Sequence, residues 1–151
     1  MLRDQLKTAL TDAMRAKDTR AVSTVRLILA ALKDRDIAAR DKGTTDGIAD
    51  DEILGMLQTM IKQRQESSRL YEEGGRCELA EQEQEEIAVI RRFMPTQLEG
   101  SEMETVINTT IKELGAADLK DMGRTMATLK QKYPGRMDFS KASGIVRGQL
   151  V

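Results

Sequence analysis

Apolar residues recur every three or four positions along nearly the whole chain, which is the spacing of an amphipathic α-helix. The first two predicted helices run from Leu2 to about Met14 and from Val22 to about Arg40. A polar loop that contains two glycines follows at residues 42–47. No segment alternates apolar and polar residues over the length of a strand. The pattern therefore predicts an all-α protein.

Two further helices are predicted before a break at a proline. The third follows Asp50 and Asp51, either of which can cap it, and the fourth covers residues 79–93. Pro95 then removes a backbone donor and biases the residue before it away from helical angles. We therefore expect a boundary in the chain near Pro95.

Three short helices are predicted after this proline. Ser101 and Glu104 have the spacing of a capping box, and Gly115 supplies the stop of that helix. Apolar residues between positions 119 and 129 mark the next helix, and Asp138 caps the last one. The chain is thus expected to form two parts.

The first predicted part, residues 1–95, is a helical bundle with long helices. The second, residues 99–151, is a small bundle of three helices. A bundle of about 50 residues is marginal on its own. We therefore expect it to need support from the first part or from a partner.

Composition narrows the class of protein. Aromatic residues make up 3% of the chain, so its cores must be built from aliphatic side chains and the 9 methionines. The single cysteine, Cys77, cannot form an internal disulfide, and the N-terminus lacks the apolar stretch of a secretory signal. These two features predict a cytoplasmic protein. The longest apolar run is too short to span a membrane.

Histidine is absent, which removes the usual proton shuttle, the usual base of a nucleophile triad and the commonest metal ligand. No glycine-rich phosphate-binding motif occurs either. The sequence therefore predicts no catalytic residue, no cofactor, no metal and no evident small-molecule substrate.

Four features have a chemical interpretation and a simpler structural one. Cys77 follows Arg76 and is either a reactive thiol or an incidental residue at a helix start. The glutamates of residues 78–86 form either an acid–base or cation site or a solvated helix face. Ser67 and Ser68 lie inside a helix, which disfavours amidase chemistry. The methionines are either a docking surface or core. We favour the structural interpretation each time.

Charge is unevenly distributed, although the net charge is only −1. Residues 43–98 hold 6 basic and 12 acidic side chains, whereas residues 121–151 hold six basic and two acidic ones. Clustered cations neutralise nucleic-acid phosphates, and a tyrosine can stack on a base. The candidate nucleic-acid contacts are Arg124, Lys130, Lys132, Tyr133, Arg136, Lys141 and Arg147.

Five short motifs, in a fixed order, carry a family resemblance. They are Gly75-Arg76, the acidic run Glu81 to Glu86 leading to Ile87 and Ile90, Phe93-Met94-Pro95-Thr96-Gln97-Leu98, Asp121-Met122-Gly123-Arg124-Thr125-Met126, and Gly135-Arg136-Met137-Asp138. On these residues the chain resembles the GatB/YqeY family, small helical proteins related to the C-terminal region of the B subunit of tRNA-dependent amidotransferase. It departs from the pattern at Cys77, where an acidic residue is usual.

The resemblance implies a two-part helical fold and a link to tRNA, since the tail domain of the amidotransferase approaches the body of tRNA while catalysis lies elsewhere. It also carries an inherited activity, that of a carbon–nitrogen ligase with glutamine as amido donor. In the fourth motif we expect Met122 and Met126 to face inward, Gly123 to allow close approach of another helix, and Arg124 to be exposed.

We therefore expect a non-catalytic helical module that binds tRNA, or an aminoacyl-tRNA-handling enzyme, through its basic C-terminal bundle. Two alternatives stay open. One is a protein–protein adaptor that uses the methionine-bearing faces and no nucleic acid. The other is the ligase activity itself.

Overall fold

The computed structural model describes residues 1–151 and consists of α-helices joined by short loops, without a β-strand. The all-α prediction is confirmed. No helix is both long enough and apolar enough to cross a membrane. The helices are α1 (Leu2–Arg15), α2 (Thr19–Asp41), α3 (Asp50–Glu73), α4 (Cys77–Arg91), α5 (Gly100–Leu114), α6 (Met122–Lys132) and α7 (Phe139–Gln149), and a 3-10 turn (Leu119–Asp121) precedes α6.

The helices form two compact units. Helices α1 to α4 belong to Met1–Met94, and α5 to α7 belong to Pro95–Val151. Each unit has its own cluster of buried apolar side chains. Compactness alone does not show that a unit folds by itself, so the domains 1–95 and 99–151 stay a prediction.

The core of the first unit is aliphatic, as the composition requires. Leu6 of α1, Ile28 of α2, Ile53 of α3 and Ile90 of α4 are fully buried in one cluster. Burial of each such side chain contributes about 1.5–3 kcal/mol. This shared cluster therefore holds all four helices together.

Polar contacts inside the first unit join α3 to α4. The hydroxyl of Ser68, only 2% exposed, donates to the Ala80 carbonyl at 3.4 Å and accepts from the Gln84 amide at 3.0 Å. The Arg64 Nε atom lies 2.9 Å from a carboxylate oxygen of Glu86. Ser68 therefore links two helices through its hydroxyl group.

Burial and the neighbouring Glu86 carboxylate raise the pKa of Glu83 on the same helix. Burial and the nearby carboxylate disfavour the ionised form of Glu83 at its place on α4. The positive charge of Arg64 partly offsets this effect on the pKa of Glu83.

Arg3 and Asp36 tie the start of α1 to the end of α2 and to the loop before α3. Nη1 of Arg3 lies 2.6 Å from one Asp36 oxygen, and Nη2 donates to the other at 3.1 Å. The same Nη2 donates to the Ile48 carbonyl at 3.1 Å, while the Ile48 amide donates to Asp36 at 2.9 Å. These bonds satisfy a loop whose backbone would otherwise lack partners.

Glycine is required at position 47, next to the hydrogen bonds between Arg3, Asp36 and Ile48. Gly47 has a φ of +88°, and a Cβ atom there would lie 2.6 Å from Nη2 of Arg3. A side chain at position 47 would therefore be strained and would also displace the guanidinium that holds the loop.

Two predicted helix starts are wrong. Ser101 and Glu104 form no capping box, because the N-cap of α5 is Glu99, two residues before Ser101, and it has no side-chain cap. Ala49, rather than an aspartate, occupies the N-cap of α3, and Asp50 accepts a hydrogen bond from the Leu2 amide instead.

Two other predicted helix ends are confirmed. The Asp138 carboxylate accepts from the backbone amides of Ser140 and Lys141 at the start of α7. Gly115 ends α5 in the left-handed conformation, with a φ of 64°.

Four of the 9 methionines are buried, two in each unit. Met103 and Met137 are buried beside Ile107, Leu129 and Val146. In the first unit Met56 and Met60 are buried as well. These four side chains belong to the cores, which is the structural interpretation that we favoured for the methionines.

We predict that Asp36→Asn lowers the free energy of unfolding by about 1–3 kcal/mol at neutral pH, since a bidentate bond between charged groups is lost. The hydrogen bond from Arg3 lowers the pKa of Asp36 below its ordinary value. The native ion pair therefore stabilises fully above the ordinary pKa, and the gap between the two proteins should close as pH falls through the lowered pKa. Urea unfolding over a pH series measures it.

Asp34→Asn is the matched control for this change. Asp34 is exposed on the same helix and forms no ion pair, so its replacement should alter stability by less than about 0.5 kcal/mol. An equal effect of the two substitutions would contradict the role given to Asp36.

Candidate nucleic-acid interface

Arg124 forms a local ion pair within α6. Its Nη2 atom lies 3.1 Å from Asp121, and the two side chains are 52% and 29% exposed. The hydrogen bond from the Ala117 amide, with help from Arg124, lowers the pKa of Asp121. The buried Thr125 hydroxyl donates to the Asp121 carbonyl at 2.8 Å. This motif thus shapes the start of α6 and leaves Arg124 at the surface.

Lys132 pairs with a residue of another helix. Its ammonium lies 2.8 Å from the Glu113 carboxylate of α5, and both side chains are about half exposed. The hydrogen bond to Glu113 raises the pKa of Lys132. Ion pairs this exposed contribute little to stability.

The turn after α6 is bound to the segment that opens the second unit. The Gln97 side-chain amide donates to the carbonyls of Pro95, at 2.9 Å, and Gly135, at 2.7 Å. The Leu98 amide donates to the Arg136 carbonyl at 2.6 Å. Two motifs that carry the family resemblance are therefore hydrogen-bond partners of each other.

Arg136 is engaged by the same turn. Its Nε atom donates to the Thr96 carbonyl at 3.1 Å, and its guanidinium lies 5.9 Å from the centre of the Tyr133 ring. Tyr133 is half-buried and packs on the core. One ring face is thus already covered by a cation, so Tyr133 is poorly placed as an open stacking platform.

Three of the seven predicted contacts are exposed and have no carboxylate partner. They are Lys130 in the last turn of α6, Lys141 in the first turn of α7 and Arg147 in the last turn of α7. Their ammonium and guanidinium groups are available to phosphates in the folded protein.

Helix geometry separates these cations. Lys141 and Arg147 are six residues apart, which is about 9 Å along the axis and about 120° around it. The structure directly joins only Arg136 and Tyr133 among the seven predicted side chains. The site is therefore a spread of cations over one small unit, not a pocket with converging groups.

The expectation for Gly123 is wrong. A Cβ atom at Gly123 would meet nothing within 4 Å, and the same holds for Gly144 and Gly148 of α7. Each of these helical glycines costs up to about 1 kcal/mol relative to alanine. Met122 and Met126 do pack against the core of the unit, as the motif predicted.

The other two candidate features are the thiol of Cys77 and the acidic residues. Cys77 is exposed as the first residue of α4. No group of three or more histidine, cysteine, aspartate or glutamate residues is arranged to hold a metal ion.

Sequence reasoning missed the residues that organise this unit. Gln97 and Thr96 form hydrogen bonds with the turn after α6. Glu113 forms an ion pair with Lys132. The motif that contains Thr96 and Gln97 was a signal of their importance. Its partner could not be inferred, since the bonded residues are 38 and 40 positions apart.

A comparison with known families identifies the group to which the fold and these motifs belong. The profile of the YqeY-like protein family matches residues 3–150. The chain belongs to this family. The resemblance inferred from the short motifs is thereby confirmed.

The chain is also similar to several proteins named altered inheritance of mitochondria protein 41, mitochondrial. The protein from Eremothecium gossypii is 37% identical over 89 residues, which cover 59% of this chain and 46% of the relative. The Kluyveromyces lactis protein is 29% identical over 139 residues, covering 92% and 70%. The Saccharomyces cerevisiae protein is 29% identical over 126 residues, covering 83% and 65%.

The chain spans between about half and two thirds of the length of the first relatives it matches, with 46% and 64% for the first two. These relatives are named as mitochondrial proteins, which contradicts the predicted cytoplasmic location. That prediction was wrong because a lone cysteine and the lack of a secretory signal argue only against secretion. They do not distinguish the cytosol from the inside of a mitochondrion.

We predict that Gln97→Ala destabilises the second unit by about 1–2 kcal/mol, since the buried Gly135 carbonyl loses its donor. Amide hydrogen exchange of the full chain should show faster exchange in α6 and α7. Gln131→Ala, at an exposed position of α6, is the control and should leave exchange unchanged. Equal protection in the two variants would refute the bracing role of Gln97.

Proposed function

We propose that the Pro95–Val151 unit binds tRNA through the exposed cations of α6 and α7, and that the chain is a non-catalytic module. The observation that carries this proposal is the set of three exposed side chains without a carboxylate partner, Lys130, Lys141 and Arg147. They lie in a segment with six basic and two acidic residues. The proposal also rests on the resemblance of this unit to the tRNA-approaching tail of the amidotransferase.

The paired cations support the same function in a secondary way. The ion pairs Arg124–Asp121 and Lys132–Glu113 are surface pairs, whose strength is about 0–1 kcal/mol. A phosphate can therefore replace the carboxylate at little cost. Arg136 differs, because it holds the Thr96 carbonyl and the Tyr133 ring. We therefore assign Arg136 the role of holding the turn after α6 in place rather than of contacting tRNA.

Binding of this kind is electrostatic and depends on salt. Each phosphate neutralised contributes about −0.7 to −0.9 to the slope of log affinity against log salt. Three contacts give a slope of about −2 to −3. Such a slope means weak binding at physiological salt, which suits a module that assists another tRNA-binding protein.

The non-catalytic part of the proposal rests on the residues available. A cysteine nucleophile normally needs a base, and the chain has no histidine to act beside the exposed Cys77. Glutaminase activity of the pure chain that disappears in Cys77→Ser would contradict this part of the proposal.

We predict that reversing the three free cations, Lys130→Glu with Lys141→Glu and Arg147→Glu, weakens tRNA binding at low salt at least about tenfold and flattens the salt dependence. Lys141→Ala alone should reduce the slope by about one. Fluorescence anisotropy with labelled tRNA over a salt series measures both.

A second triple variant controls for net charge. Lys7→Glu with Arg15→Glu and Arg91→Glu changes three exposed residues of the other unit by the same charge. It should keep most of the affinity. Absent binding at low salt, or equal losses in the two triple variants, would defeat the proposed interface.

A further inference from the structure

Two of the three free cations of the second unit, Lys141 and Arg147, stand on the two edges of one face of α7. With about 100° of rotation per residue, Lys141 lies about 60° to one side of Gly144 and Arg147 about 60° to the other. They are also about 9 Å apart along the helix axis. Between these edges lie Gly144, Gly148 and the small side chain of Ser140, all exposed. The helix therefore presents two separated cations with a low backbone surface between them.

The fold itself does not require the two glycines of this face. Neither Gly144 nor Gly148 has a positive φ, and a Cβ atom at either position would meet nothing within 4 Å. Glycine also weakens a helix relative to alanine. Backbone conformation and internal packing therefore leave both residues unexplained. Their effect on the surface is to let another molecule approach the backbone of α7 closely.

The second unit offers no exposed aromatic ring on which an unpaired base could stack. It contains two aromatic residues, Tyr133 and Phe139, and both are half-buried and pack against its core. The guanidinium of Arg136 already covers one face of the Tyr133 ring. Single-stranded RNA is commonly bound by stacking its bases on aromatic rings and by a positively charged groove that follows its backbone. The face of α7 has neither feature, because it is convex and its cations stand on opposite edges.

Double-helical RNA matches this arrangement. The minor groove of A-form RNA is wide and shallow, and it displays 2′-hydroxyl groups between its two phosphate strands. A face of small residues can approach the hydroxyl groups while the cation at each edge reaches the strand on its own side. Helix α7 contains no acidic residue that would repel phosphate, and the carboxylate of its N-cap, Asp138, accepts hydrogen bonds from backbone amides.

The same face does not match double-helical DNA. The minor groove of B-form DNA is only about 6 Å wide, whereas an α-helix with its side chains is about 10–12 Å in diameter. The arrangement of α7 therefore favours the RNA duplex by the shape of its groove, in addition to the attraction of its cations for phosphate.

We propose that this face of α7 binds the minor groove of double-stranded A-form RNA. Gly144 and Gly148 lie against the riboses, and Lys141 and Arg147 contact phosphates of opposite strands. The contact depends on the proposed function and deepens it, since it specifies the form of RNA that the Pro95–Val151 unit recognises. Because riboses and phosphates are common to all sequences, recognition is directed at the paired stems of tRNA and not at particular bases.

Competition between three probes tests the preference for A-form geometry on the full chain. They are an RNA duplex of about 20 base pairs, a DNA duplex of the same sequence, and an RNA single strand of the same length without internal pairing. Each displaces labelled tRNA at low salt, followed by fluorescence anisotropy. The RNA duplex should compete at least about fivefold better than either of the others. The DNA duplex controls for the dense phosphate charge of a double helix.

Gly144→Gln with Gly148→Gln tests the face itself. Glutamine covers the backbone, keeps the net charge and is a better helix former than glycine, so the variant should remain folded, as circular dichroism checks. It should bind tRNA at least about fivefold more weakly and lose the preference for the RNA duplex over the DNA duplex. Thr105→Gln with Thr109→Gln is the matched control, because these exposed residues of α5 have the same spacing. It should keep both properties.

The failure of this contact can be told apart from the failure of tRNA binding. Absence of tRNA binding at low salt would refute both. If tRNA binds but the DNA duplex or the single strand competes as well as the RNA duplex, only the contact with the A-form groove is refuted. The same holds if the double glutamine variant of α7 behaves like the control variant of α5.

Discussion

The hydrogen bonds between residues 95–98 and the turn after α6 hold the second unit in the form on which its charged surface depends. The bond from the Leu98 amide to the Arg136 carbonyl and the two bonds of the Gln97 amide are directed at backbone carbonyls. They fix a turn in which Gly135 has a φ of 71°. Because that turn determines where α7 begins, it also places Lys141 relative to Lys130. These directed bonds act together with the small core of the unit, which contains no tryptophan.

The number and order of the helices could be predicted from sequence because the apolar period is encoded within each segment. The start of α7 at Asp138 and the end of α5 at Gly115 could be predicted as well, since each of these residues acts on backbone groups two to four positions away. The capping box predicted at Ser101 is wrong by two residues, since the N-cap is Glu99 and Ser101 lies inside the first turn of the helix. Helix ends depend on both the local side chains and where tertiary packing lets the helix begin.

The sequence shows that the last segment is rich in Lys and Arg, but it does not show which of these cations are paired in the folded protein. A count of Lys and Arg identifies a basic segment, yet it treats Lys132 and Lys130 alike. The structure separates them, because Glu113 lies nineteen residues from Lys132 in sequence and pairs with it across two helices. Arg136 is similar, since its contact with Thr96 spans forty residues. Long-range pairing of this kind leaves no local pattern, so the free cations could be identified only in the folded chain.

The surroundings of a cation, more than its charge, determine what it can bind. On α7 the exposed neighbours of Lys141 and Arg147 include Gly144 and Gly148, which present backbone and no apolar side chain. On α2 the exposed cations Arg26, Lys33 and Arg40 lie beside two half-exposed apolar side chains, Leu27 and Ile37, and beside the carboxylate of Asp34, and these neighbours disfavour phosphate. A net charge of −1 hides both surfaces, because the acidic middle of the chain balances them in the total. Charged groups act within about 8–10 Å in physiological salt, so Lys141 and Arg147 can attract phosphate independently of the whole-molecule charge.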